Sequence, residues 1–428
     1  MKYIDFVDLN YKPKVTDLIC SFYLEKDEKS LMTDKELAGG VAAESSIGTW
    51  TSLTTEKPYM TGLAAKVFSI NGNWIKIAYP IELFELENIP NIVSSIEGNI
   101  FGLKDIKNLR LEDINFPTEM IKKYKGPMYG IPGIRKMLKI PKRPLIGTII
   151  KPKLGLITRD HVKIAFDAWL GGCDIVKDDE NLASQSFNKF QERVSETLKM
   201  KQRAEKLTGE KKIYMPNVTA ETSEMLRRMK FVKDNGGEYA MLDILTIGWS
   251  ALQTVRNYNK DLKLVLHAHR AGHAAFTRNP KHGISMLVIA KLARLIGMDQ
   301  LHIGTIVGKM EGPAREVIFL EEEIEKSIIR KKGHALSESW KHIKPVFAVC
   351  SGGLHPGHIP ILMKTLGNDI IIQMGGGIHG HPSGTTVGAV AARQSVDAAM
   401  KRIPLHEYAK SHPELRKALE KWGTPSGR

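Results

Sequence analysis

The sequence predicts an α/β protein: a C-terminal (β/α)8 TIM barrel preceded by a smaller α+β domain. Two observations carry that reading. From about Arg143 onward, eight short apolar runs alternate with polar or glycine-rich turns and helical segments, the pattern of a parallel β/α fold that eight repeats can close. Polar clusters follow most of those runs. That suits a ring of strand ends better than the single crevice of a doubly wound open sheet, the competing architecture. At 428 residues the chain has room for both domains.

Residues 1–135 lack the repeat. Strand-like runs such as Trp74–Tyr79 alternate there with one or two helices, so the segment reads as a separate α+β domain. Residues 136–428 read as the barrel with C-terminal helices, and Tyr124–Lys142, rich in Gly, Pro and Lys, as the connection. Barrel strands are expected at Leu145–Ile150, Cys173–Val176, Ile213–Val218, Tyr239–Leu245, Leu262–His267, Gln300–Ile303, Val346–Ser351 and Ile370–Gln373. Amphipathic helices are expected at His161–Leu170, Phe187–Leu207, Glu224–Asp234 and Ser285–Ile296. Residues 327–343 read as a charged link, and His406–Arg428 as short helices.

A hydrophobic fraction of 42% and a charged fraction of 25% are those of a soluble globular protein. Met1–Asn10 carries acids and no apolar core, unlike a signal peptide. The most apolar helix, Ile284–Ile296, contains Lys291 and Arg294, so no membrane span is expected. Cys20, Cys173 and Cys350 are odd in number and far apart, which fits neither a zinc site nor a disulfide framework and suits a reducing cytoplasm. The net charge of +15 is spread among acids, as in Glu321–Lys332. Solvated helix faces explain it best, a polyanionic small substrate second, and a nucleic-acid groove a distant third.

In a barrel the strand C-termini converge on one face, where active sites sit. The first strand leads into Lys151-Pro152-Lys153; by themselves these are two surface lysines, but their shared parity could point both into the barrel mouth. The second leads into Lys177-Asp178-Asp179-Glu180-Asn181. Lys177 and Asp179 have period-2 spacing and Glu180 sits where the strand ends, so acids could converge on a hard divalent cation. The fifth ends in His267-Ala268-His269-Arg270, the sixth holds His302, the seventh ends in Ser351-Gly352-Gly353 and the eighth in Gly375-Gly376-Gly377. Glycine turns expose backbone N–H groups to anions, and loops seven and eight are the usual barrel phosphate site. Gly304–Gly312, with glycines at both ends and Lys309 near the middle, reads as a closing lid. A metal that polarises a carbonyl, a lysine base and phosphate nests together point to metal-assisted enolisation of a phosphorylated sugar.

At these residues the chain resembles the large subunit of ribulose-1,5-bisphosphate carboxylase/oxygenase (RuBisCO). The likeness runs from about Tyr11 past Gly384. It rests on Gly-Thr-Ile-Ile-Lys-Pro-Lys-Leu-Gly (147–155), Gly-Gly-Cys-Asp-Ile-Val-Lys-Asp-Asp-Glu-Asn (171–181), His-Arg-Ala-Gly-His-Ala (269–274), Gly-Thr-Ile-Val-Gly-Lys-Met-Glu-Gly (304–312) and Ser-Gly-Gly-Leu-His (351–355). The wording is most like the archaeal form III branch. The resemblance implies carboxylation of ribulose 1,5-bisphosphate with CO2 and water to two 3-phosphoglycerate, with competing oxygenation by O2, through a Mg2+-stabilised enediolate, in AMP or nucleoside salvage.

It also implies roles. Lys177, carbamylated by an activating CO2, would bind Mg2+ with Asp179 and Glu180. Lys151 would be the enolising base, Lys153 would assist later protonation and His269 would relay protons. Arg270, His302, Ser351, Gly352 and Gly353 would hold one phosphate, Gly375 and Gly376 the other. Lys309 would steer CO2. Glu44, Thr49, Trp50 and Asn99 match segments that reach a neighbouring subunit's site, which implies a homodimer or an assembly of dimers without a small subunit. Departures from the family pattern are Ile149, where a threonine is usual (Thr148 stands one place earlier), Gly272, Ile303 and Met310. RuBisCO-like enolases or isomerases are the alternative; they typically lose several of the residues this chain keeps.

Overall fold

The computed structural model describes residues 1–308 and 314–425. The chain forms two compact units. One comprises Met1–Gly126 with Gly272–Gly297 and Lys326–Ile343; the other holds the remaining described residues.

The first unit is built on a five-stranded sheet in the order Gly283–Ile284, Ile106–Asn115, Leu18–Lys26, Trp74–Tyr79, Lys66–Asn71, in which the first pair is parallel and the rest antiparallel. Helix Asp34–Glu44 starts at a reciprocal cap: Glu36 N–H donates to Thr33 Oγ1, and Thr33 N–H donates to the Glu36 carboxylate. Helix Met286–Ile296 is buried along its whole length, Lys291 and Arg294 included. Lys291 Nζ pairs with Asp113 at 2.7 Å and lies 3.9 Å from Glu338, while Arg294 stacks 4.6 Å above Trp340. The stretch 327–343, expected as a plain link, contains a short hairpin, Ile328–Ile329 against Glu338–Ser339. Two-residue strands are too short for an alternating pattern to register.

The second unit is the barrel. Its strands are Leu145–Ile149, Ile175–Lys177, Ile213–Met215, Tyr239–Asp243, Val265–His269, Gln300–Gly304, Phe347–Ser351 and Ile370–Gln373. Apart from the third and fourth, each pairs in parallel with its neighbours in sequence, and the eighth pairs with the first. The ring closes between the third and fourth through a bridge from Asn217 to Met241. Leu145, Ile175, Met241, Val265, Val349 and Ile371 fill the interior, and helix Gly130–Leu138 adds Ile131, Ile134 and Leu138 to the same core.

The ends of the strands differ from the sequence expectation for local reasons. The second begins at Ile175, just after a bend at Asp174, whose carboxylate accepts two 2.7 Å hydrogen bonds from Arg143. The fourth stops at Asp243 because Ile244 opens a helical turn, and the fifth starts late because the helix that resumes beyond the kink at Gly248 runs on to Leu262. All three cysteines are free and buried. Among the described residues no helix is long and apolar enough to cross a membrane.

Candidate active site

The strand ends converge on a cavity of about 490 Å³. Lys151, Lys177, Glu180, His269, His302, Ser351, Gly352, Gly353, Gly375 and Gly376, all expected from the sequence, line it together with Ile149, Gln373 and the C-terminal residues Lys421 and Trp422. A larger groove of about 810 Å³ lies at the N-terminal ends of the strands, bordered by Arg143, Glu210 and Arg393. Those charges already pair with one another and with Asp174, and none of the expected site residues is there.

Strand alternation divides the acidic segment. Lys177 faces the cavity yet is fully buried; its Nζ donates to Asp178 O at 2.7 Å and lies 3.0 Å from Met241 Sδ. Burial pushes its pKa down against the opposing pull of Glu180, Asp243, Asp179 and Asp178. Asp178 points the other way, between the helices that follow the first and second strands. It accepts from Arg193 Nε (3.1 Å), Tyr214 Oη (2.8 Å) and Asn217 N (3.1 Å), with His161 Nε2 at 3.2 Å. Burial alone would raise its pKa, but Arg193 and His161 hold it well below the carboxylate range. Asp179 is buried and does not itself line the cavity, but it accepts a 2.5 Å bond from Lys151, which does. Glu180 is held low despite burial, chiefly by His269 and Lys177.

The histidines are ordered by their partners. His269 Nδ1 lies 2.7 Å from Asp243 Oδ1. A carboxylate only accepts, so Nδ1 carries the proton and Nε2 is left towards Glu180, 3.7 Å away. Ser351 Oγ, His302 Nδ1, His302 Nε2, His267 Nε2, His267 Nδ1 and Gln300 Oε1 form a chain of 2.8–2.9 Å contacts. Burial pushes both imidazoles of that chain well below their ordinary pKa, so both are neutral. With Gln300 Oε1 accepting, every donor points inward; turning that amide over reverses the chain and frees the Ser351 hydroxyl to donate into the cavity.

Other expected residues lie apart from the cavity wall. Lys153 is exposed and donates to Asn181 Oδ1 at 3.1 Å. Arg270 lies behind Gly304, where an added Cβ would come within 2.5 Å of its guanidinium, and burial pulls its pKa down to about 10. Glu44, Thr49, Trp50 and Asn99 belong to the other compact unit. There Glu44 accepts from Tyr3 Oη at 2.7 Å, Thr49 is half-buried, Trp50 is 81% exposed and Asn99 is exposed at the start of a 3-10 turn. Lys309 and Met310 lie outside the described residues.

Sequence reasoning missed Asp243, Gln373, His379, Lys421 and Trp422. Asp243 and Gln373 end apolar strands without a polar cluster of their own, so only strand parity could have singled them out. His379 Nε2 lies 3.1 Å from Ile149 O, beside the Ile149 departure. Thr148 is buried and its hydroxyl bonds to Met374 O (2.9 Å) and His379 Nε2 (2.8 Å), so this wall of the cavity is apolar Ile149.

A barrel with a buried lysine, flanking carboxylates and glycine turns at its mouth is the architecture of a phosphosugar enzyme, and the comparisons define which. The family model described as "Ribulose bisphosphate carboxylase large chain, catalytic domain" matches residues 130–422, and that for the N-terminal domain matches residues 5–120. The chain belongs to the RuBisCO large-chain family. A ribulose bisphosphate carboxylase of Methanosarcina mazei is 50% identical, the match covering 98% of this chain and 99% of that protein. One from Methanocaldococcus jannaschii is 48% identical, over 98% of this chain and 100% of the relative. A dimeric archaeal Rubisco from Hyperthermus butylicus superposes with a TM-score of 0.93 at 47% identity, over 98% of this chain and 99% of that one. An octameric Rubisco from Pyrococcus horikoshii, in complex with sulfate ion, gives 0.93 at 45% identity, over 100% and 98%.

Proposed function

We propose that this chain carboxylates ribulose 1,5-bisphosphate with CO2 and water to two molecules of 3-phosphoglycerate, with O2 as a competing substrate, in AMP or nucleoside salvage. The observation that carries the reading is the convergence of Lys151, Lys177, Glu180, His269, His302, Ser351 and the two glycine turns on one cavity, in a chain nearly half identical to ribulose bisphosphate carboxylases along its whole length.

The donor set fits Mg2+ on one condition. Asp179 and Glu180 supply hard carboxylate oxygens, but Lys177 as an amine supplies none, and the described residues hold no group of three His, Cys, Asp or Glu arranged for a metal. The buried Lys177 amine, attacking the carbon of CO2 and releasing one proton, becomes a carbamate and the third oxygen donor. Bound there, Mg2+ would polarise the substrate carbonyl as a Lewis acid.

The protein's own groups do the rest. Lys151 takes the α-proton of the sugar, after Asp179 turns from it. Lys153 assists the later protonation. His269, fixed in one tautomer by Asp243, relays protons among the hydroxyls. Arg270, His302, Ser351, Gly352 and Gly353 bind one phosphate; Gly375 and Gly376 bind the other. Lys309 steers CO2. Glu44, Thr49, Trp50 and Asn99, in an N-terminal domain spanning about residues 1–135, serve the site of a neighbouring subunit, so the active form is a homodimer or an assembly of dimers. The dimeric and octameric relatives support that assembly. The test is purified protein with ribulose bisphosphate, Mg2+ and labelled bicarbonate under anaerobic conditions. Labelled 3-phosphoglycerate is expected; its absence across a range of temperatures would overturn the reading.

A further inference from the structure

We propose that Lys421, on the C-terminal helix, is a phosphate-binding residue of this cavity and that Trp422 holds it in place. The inference rests on reading the cavity as a bisphosphate site.

Helix Pro413–Trp422 is firmly seated. Leu415 and Ala418 are buried, the Glu414 carboxylate and the Leu415 N–H both bond to the Gln394 side chain, and Glu414 O lies 3.0 Å from His381 Nε2. Its last turn is wedged between the loops that follow the seventh and eighth strands. The Trp422 ring stacks 5.8 Å from His355 of the seventh loop and meets His381 of the eighth edge-on at 6.4 Å. Just beyond, Gly423 O packs so close to Gly357 that a Cβ there would approach it to 2.2 Å. The helix end therefore ties together the two loops that carry the glycine turns.

Lys421 is placed on the cavity side of that wedge. It lines the same cavity as Gly375 and Gly376, its Nζ donates to Gly380 O at 2.6 Å and lies 5.4 Å from the Trp422 ring centroid. Gly380 N–H donates to Gly376 O, so Gly380 lies one helical turn, about 6 Å of rise, beyond Gly376, and the ammonium sits past its carbonyl. The flexible four-carbon stem lets the ammonium leave that carbonyl and swing towards the turn. Of the three lysines on the cavity wall among the described residues, Lys151 pairs with Asp179 and Lys177 is buried against Asp178 O and Met241 Sδ. Lys421 is exposed and bonds a neutral carbonyl. Exchanging that carbonyl for a phosphate oxygen keeps the lysine's hydrogen bond and adds the attraction of an opposite charge.

The experiment compares full-length wild type, Lys421→Met and Lys421→Arg. Carboxylation is measured against ribulose bisphosphate at saturating CO2 and Mg2+, and inorganic phosphate binding is measured by calorimetry in the same preparations. Lys421→Met should raise KM for the sugar bisphosphate about tenfold, the worth of one charge-assisted hydrogen bond, with kcat within about twofold. Phosphate affinity should fall in parallel, and Lys421→Arg should restore both. Unchanged KM and unchanged phosphate affinity in Lys421→Met would overturn the proposal. So would equal losses in the Met and Arg variants with a lowered melting temperature, which would make Lys421 a latch on Gly380. If the wild type does not turn over ribulose bisphosphate, the functional reading fails on its own, and the phosphate titration still decides the role of Lys421.

Discussion

Asp178→Asn probes how the fold holds the catalytic segment. The wild-type carboxylate faces the Arg193 guanidinium, and both side chains are completely buried. An asparagine keeps the volume but removes the counter-charge; its carbonyl oxygen can still accept from Arg193 Nε and Asn217 N, while its NH2 end faces Tyr214 Oη, which must then accept instead of donate. Removing one partner of a buried pair costs about 3–5 kcal/mol. Arg193 retains Ala183 O (2.7 Å) and Asn188 O (3.0 Å) as acceptors, which argues for the lower end, about 3 kcal/mol. For a unit of this size that is a fall of roughly 6 °C in Tm. The sign of the pH dependence follows from the depressed pKa of Asp178. Its stabilisation is complete above the unfolded carboxylate value, about 4, and is lost as pH falls through the lower folded value. The Tm gap between wild type and Asp178→Asn, read by scanning calorimetry, should thus be constant near neutrality and shrink only in acid below about pH 4. A gap under about 2 °C at pH 7, or one that stays constant into strong acid, would refute the reasoning.

Lys151→Met should abolish solvent exchange of the substrate α-proton and lower turnover about 10²–10⁴-fold with the fold intact; retained exchange, followed by NMR in deuterated water, would assign the base elsewhere. Asp243→Asn can present an amide N–H to His269 Nδ1 and select the wrong tautomer, so kcat should fall roughly 10- to 100-fold with little change in Tm; a normal pH–rate profile would deny Asp243 that role. Lys291→Met leaves Asp113 and Glu338 buried together without their cation and should destabilise the N-terminal unit by about 3–5 kcal/mol, seen as an earlier calorimetric transition; an unchanged transition would mean the triad contributes nothing net.

The barrel was legible because its strands are short apolar runs with polar or glycine ends, and those ends are also where the chemistry lies. Lys177 falls on the cavity wall, while Asp179 reaches it through its bond to Lys151. What the sequence hid were partners set by the third dimension. Lys291 and Arg294 looked like interruptions of an apolar helix, because Asp113 stands 178 positions away from Lys291. Asp243 read as the middle of a strand and proved to be its last residue, the one that orients His269. Asp178 had no role assigned from the sequence; it turns into the core, onto Arg193. Lys421 and Trp422 sit in a helix whose pattern announces only its own packing, and nothing local shows that it ends at the cavity.

The central claim is that Lys177 becomes a metal ligand by reacting with CO2. Enzyme incubated with labelled CO2 and Mg2+, chemically trapped and mapped by mass spectrometry, should carry the added carboxyl group on Lys177, and activity should rise with the extent of that modification. Full activity with Lys177 unmodified, or the label on another lysine, would contradict it.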